Sequence, residues 1–147
     1  MKKLDFGDRS DALWAAPAPL VPVTPPTITV THGADGVVTL RATPATGAYL
    51  FLALRANTVV TDATFNGRPA PLLVKPGKLS PVIWASGPAG LTITFKPAGP
   101  GMLSVSYSET IRGWPAEARA LPAMPATLMP WDASGSTQVL GAQRWTW

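Results

Sequence analysis

Residues 91–108, LTITFKPAGPGMLSVSYS, decide how this chain is built. In the first part Leu91, Ile93 and Phe95 alternate with Thr92, Thr94 and Lys96, and after the connection Leu103, Val105 and Tyr107 alternate with serines. A period of two sends successive side chains to opposite faces of a strand, so each part reads as a strand with one dry and one wet face. The PAGPG between them reads as a glycine-proline turn: its prolines lack an N–H and its glycines favour reversal. Strands with one dry face need a second layer over that face, which points to a sandwich of two sheets.

Working outward, the same signals recur. TITVTH (27–32) sets Ile28 and Val30 on one face, the turn HGADG follows, and VVTLRAT (37–43) sets Val38, Leu40 and Ala42 on one side, so the pair reads as a hairpin. AYLFLALR (48–55) is nearly all apolar, the pattern of a central strand covered on both faces. VVTDATF (59–65) runs into Asn66-Gly67-Arg68-Pro69, where Asn-Gly supplies the positive φ angles of a tight reversal. PLLVK and VIWAS read as short strands around the loop PGKLSP, with Trp84 in the core, and TQVLGAQRWTW (137–147) reads as a last strand.

The expected fold is therefore all-β: an antiparallel, Ig-like β-sandwich of seven to nine short strands, with a Pro-rich irregular segment before the last one. A closed barrel is the rival. No internal repeat suggests a propeller or solenoid, and only PAEARAL (115–121) carries a helical period. Residues 1–26, a charged start followed by alternating Ala and Pro, read as a leader or linker, and residues 27–147 as the sandwich domain.

Composition excludes several classes. The chain of 147 residues has no cysteine, so a disulfide framework and a thiolate metal site are both ruled out. Its 12 Lys and Arg against 8 Asp and Glu are scattered, with no cluster denser than Lys2-Lys3, and nucleic acid is not an expected partner. The apolar run 12–23 follows those lysines, but Pro17, Pro19 and Pro22 spoil it as an export signal or a membrane span.

Catalytic constellations are equally hard to assemble. His32 is the one histidine, beside a turn, and reads as a solvent-facing hairpin residue. Asp5, Asp8 and Asp11 lack the glycine and distal glutamate of a calcium loop. Asp35, Asp62, Glu109, Glu117 and Asp132 could supply a carboxylate pair, but no spacing favours any two. GPAG (87–90) and AGPGM (98–102) lack the Lys-Ser or Lys-Thr ending of a phosphate loop. No catalytic residue and no cofactor is assigned to this chain.

Six tryptophans are the one excess. Those outside the middle of the chain can cover a sheet edge or present an indole to a partner, and Trp114, Trp131, Trp145 and Trp147 are the candidate interaction surface.

From Ser106 onward the chain also resembles a known family. Trp114-Pro115, Pro125-Ala126, Leu128-Met129-Pro130, then Ser134, Ser136, Thr137, Val139, Trp145 and Trp147, are similar to the end of bacterial membrane-bound zinc exopeptidases of the aminopeptidase type. Asn66-Gly67-Arg68-Pro69 resembles a turn earlier in such domains. The pattern departs at Met124 and Gly135, where arginine and aspartate are expected. The resemblance implies a noncatalytic accessory domain on the periplasmic, extracytoplasmic side of a bacterial membrane. Its partners would be the peptidase and membrane domains of the same polypeptide, with zinc confined to the peptidase domain. Membrane proximity is compatible with the slight basic excess. The alternative is an independent carbohydrate- or peptide-binding module that uses exposed tryptophans, with carbohydrate the less favoured ligand. Under either reading, the prolines of 121–130 cannot sit inside a sheet, and Leu121, Met124, Leu128 and Met129 are expected to cap the open end of the core.

Overall fold

The computed structural model describes residues 2–4, 13–15, 22–45, 49–70, 74–75, 78–79, 83–113 and 136–147, and among these the only regular structure is β. Lys2–Leu4 (β1) and Leu13–Ala15 (β2) pair antiparallel as a small two-stranded ribbon. The body begins with Thr27–His32 (β3), Val38–Thr43 (β4), Tyr49–Ala56 (β5), Val60–Phe65 (β6) and Arg68–Pro69 (β7). It continues with Val74–Lys75 (β8), Lys78–Leu79 (β9), Ile83–Ser86 (β10), Leu91–Pro97 (β11), Met102–Arg112 (β12) and Ser136–Thr146 (β13).

One sheet has the order β3-β4-β11-β6-β7 and the other β10-β5-β12-β13, every pairing antiparallel. Lettering the main strands A to G in chain order gives A-B-E-D facing C-F-G, the immunoglobulin arrangement, with β10 added beyond C. The fold is thus the expected antiparallel sandwich. β11 and β12, the two strands of the opening stretch, belong to different sheets, so the PAGPG connection crosses between layers.

The core sits between the sheets. Ile28, Val38, Leu40, Ala42, Leu91, Ile93 and Phe95 from one layer meet Leu50, Leu52, Leu54, Ala56, Leu103 and Val105 from the other in a single buried cluster. Outside β5, these are the residues that the period of two assigns to the dry faces. Burying a Leu, Ile or Phe side chain contributes roughly 1.5–3 kcal/mol, so this interface dominates the stability of the body.

Three local expectations need correction. β5 is central in its sheet but covered on one face only, since Leu50, Leu52 and Leu54 are buried whereas Tyr49, Ala53 and Arg55 are exposed. Its outward positions happen to carry apolar types, which hid the alternation. The loop PGKLSP contains β9, which pairs with β8. β12 runs on past Ser108 to Arg112, so its inward series includes Glu109. The helical period at PAEARAL, the capping role of Leu121, Met124, Leu128 and Met129, and the Pro-rich segment as a whole lie outside the described residues.

One turn follows from sequence chemistry. Asn66 (φ 47°) and Gly67 (φ 77°) form the two-residue reversal between β6 and β7. The Asn66 side chain accepts a 2.8 Å bond from the Thr92 N–H while its own N–H donates to the Thr92 carbonyl, tying the turn to β11. In β6 the register shifts between Thr94 and Lys96 of β11, and Asp62 there has φ 50°. This bulge lets both Val60 and Ala63, three apart, face the core.

Candidate interaction surface

Each candidate residue has a definite place or lies outside the described set. Trp114 and Trp131 are outside it, as are Asp5, Asp8, Asp11, Glu117 and Asp132, and the side chain of Trp84 is likewise not described. His32 is exposed at the end of β3, as the hairpin reading expects. Among the described residues no three His, Cys, Asp or Glu side chains gather where they could hold a metal ion. Asp35 is used in its own turn, accepting a 3.1 Å bond from the Val37 N–H, and Asp62 stands 3.9 Å from Lys96 Nζ.

Trp145 and Trp147 are half-buried and pack against the core. The indole N–H of Trp147 donates to the Gly99 carbonyl at 2.9 Å, and its ring meets Phe95 edge-on with centroids 5.9 Å apart. Its backbone exchanges bonds with Gly101 at 3.1 and 3.3 Å. A Cβ at Gly101 would come within 3.1 Å of the Trp147 ring and 2.9 Å of Asn57 Oδ1, so glycine is required for this close approach. Asn57 holds the same corner, its N–H donating to the Met102 carbonyl at 3.1 Å and its Oδ1 accepting from the Met102 N–H at 2.6 Å. The crossing between layers is thus clasped by Trp147 on one side and Asn57 on the other.

Glu109 is fully buried and takes part in an interaction there. It pairs in register with Leu50 and Val139 on the inner side of its sheet. Carrying the alternation Leu103, Val105, Tyr107 two residues further would have placed it inward from sequence alone.

The two outer faces differ in chemistry. On the five-stranded sheet a row of threonines, Thr31, Thr39, Thr94 and Thr64, crosses four strands, with the Thr64 and Thr94 hydroxyls bonded at 2.7 Å. Lys96 on this face stands beside Asp62, and Arg41 is exposed on it as well. The four-stranded sheet presents Ser104, Ser106, Ser108 and Thr110 of β12 outward, flanked by β5 and β13. Register sets Arg55 and Arg144 on either side of Ser104, Ala53 and Ala142 beside Ser106, and Phe51 and Leu140 beside Ser108. Ala53, Arg55, Ser106, Ala142 and Arg144 are all exposed, and Leu140 is 71% exposed. Arg112 lies at the far end, 3.5 Å from the Tyr49 hydroxyl. Among the described residues this face carries no acid.

No protein-family model matches the chain, and neither a curated protein nor a solved structure matches it at a significant level. Among the described residues no helix is long and apolar enough to cross a membrane.

Proposed function

We propose that this chain is a noncatalytic accessory domain of a membrane-bound zinc-dependent exopeptidase of the aminopeptidase type, standing on the extracytoplasmic side of a bacterial membrane. The observation that carries the reading is where the resembling residues fall. Thr137, Val139, Trp145 and Trp147 alternate along the last strand and are all half-buried, so the motif coincides with closure of the sandwich. A tail that closes the sandwich in this way supports reading the chain as a folded accessory domain beside other parts of its polypeptide. The zinc and the chemistry belong to the peptidase domain.

Two measurements test this. The coding sequence adjoining this chain is expected to encode membrane spans and a zinc-ligand set, and a neighbourhood without them would overturn the parentage. The chain is expected to bind the separately produced peptidase domain and to show no aminopeptidase turnover. Turnover that tracks this chain through purification and responds to chelation would overturn the noncatalytic role. Saturable quenching of tryptophan fluorescence by glycans would favour an independent binding module instead.

A further inference from the structure

We infer that the outer face of the four-stranded sheet docks an acidic polypeptide segment, which sets a carboxylate between Arg55 and Arg144 over Ser104 and an aliphatic side chain against Leu140 over Ser108. The inference rests on reading the chain as an interaction domain, and is independent of the peptidase parentage.

Charge is the first ground. Arg55 and Arg144 occupy one cross-strand row with Ser104 between them, two strand spacings or about 10 Å apart. Two guanidinium groups at that separation can converge on one carboxylate, a fork geometry that arginine favours. Among the described residues no Asp or Glu stands on this face, and Glu109 of β12 points inward. The opposite outer face has an acid, Asp62, beside Lys96, and its Arg41 lies in a row flanked by Thr29 and Thr92 with no second arginine.

Shape is the second. The middle of this face carries small side chains, Ser104, Ser106 and Ser108 with Ala53 and Ala142 beside Ser106, which allow another backbone to approach closely. Leu140 is the most exposed large apolar side chain among the described residues, and it lies two rows from the arginines. In an extended segment along β12 the two contacting side chains would be four residues apart.

The same features disfavour other occupants. A second copy applied face to face through a two-fold axis would set arginines against arginines, since all the charges on this face have one sign. A lipid surface favours several protruding apolar groups, and the exposed large apolar side chains on this face among the described residues are Leu140 and Tyr49.

The test uses the full chain labelled with nitrogen-15 and a capped decapeptide carrying leucine and glutamate four positions apart. Amide shifts are expected at Arg55, Ser104, Ser106, Leu140 and Arg144, with affinity falling as salt is raised. The Arg55→Ser/Arg144→Ser double variant, and a peptide with glutamine for glutamate, are each expected to weaken binding by roughly tenfold or more. Arg41→Ser, on the other outer face, is the control expected to bind normally. Unchanged affinity in the double variant, equal binding of the glutamine peptide, or no peptide binding overturns the inference. So does binding confined to phosphatidylglycerol vesicles, or a dimer that the double variant abolishes. All three substitutions are at exposed positions, and unchanged melting checks that each variant folds.

Discussion

Replacing Trp147 by alanine removes the side chain that clasps the crossing between the two sheets, and the structure fixes how much this should cost. A fully buried Trp→Ala change costs about 3–5 kcal/mol, and half-burial scales the packing part, including the edge contact with Phe95, to roughly 2 kcal/mol. Losing the indole N–H bond to the Gly99 carbonyl adds about 1 kcal/mol. The expected loss is therefore roughly 3 kcal/mol, which for a chain of this length lowers the melting temperature by about 10 °C. Trp147→Phe keeps most of the ring and drops the N–H, so it should lose about a third of that. Urea unfolding followed by circular dichroism measures both, with the slope checked for constancy so that the midpoint reports stability. The reasoning fails if Trp147→Ala melts within a couple of degrees of the parent, or if the phenylalanine variant is as damaged as the alanine one.

Three further changes test other parts of the same frame. Gly90 has φ +66°, and an added methyl would overlap the Ala42 carbonyl, so Gly90→Ala is expected to destabilise by about 2–4 kcal/mol in the same urea assay. Gly141 lies under the Tyr107 ring, its register partner, so Gly141→Val should cost about 1–3 kcal/mol, and much of that loss should vanish when Tyr107→Ala is added in a double-mutant cycle. Deleting residues 134–147 removes β13 and should abolish cooperative thermal unfolding, which calorimetry would register as loss of the single transition.

The layers and most of the core were legible because burial on a sheet obeys a period of two. Leu91, Ile93, Phe95, Leu103 and Val105, assigned inward from alternation, are all buried. Strand order was not legible, because pairing between β4 and β11, or β5 and β12, depends on which dry faces fit together across a long stretch of chain. β5 misled because Tyr49, Phe51 and Ala53 are apolar types on an outward face, and residue type alone does not reveal whether a second layer lies there. The bulge at Asp62 was hidden for another reason: it breaks the period that the reading depends on. The tryptophans drew attention as an interaction surface through their chemistry, yet for Trp145 and Trp147 half-burial against the core is what the structure adds. The arginine-flanked serine gave no sequence signal, since Arg55, Ser104 and Arg144 are far apart in the chain and meet only through register.

In a sandwich the two sets of positions answer to different constraints. Inward residues must fill the space between layers, so their identities are dictated by packing and carry information about fold. Outward residues need only tolerate water, and threonine, serine or balanced charge at those positions would satisfy the fold equally well. The Thr31–Thr39–Thr94–Thr64 row and the Lys96–Asp62 pair meet that minimal demand on one face. Like charges crowded on one surface oppose folding slightly, so unbalanced cations on the other face are not something the sandwich itself requires. Arg55 and Arg144 on a single row, with no acid on that face among the described residues, are therefore positions whose identity the fold does not dictate. A substitution there should leave the melting transition where it is and change only what the surface holds.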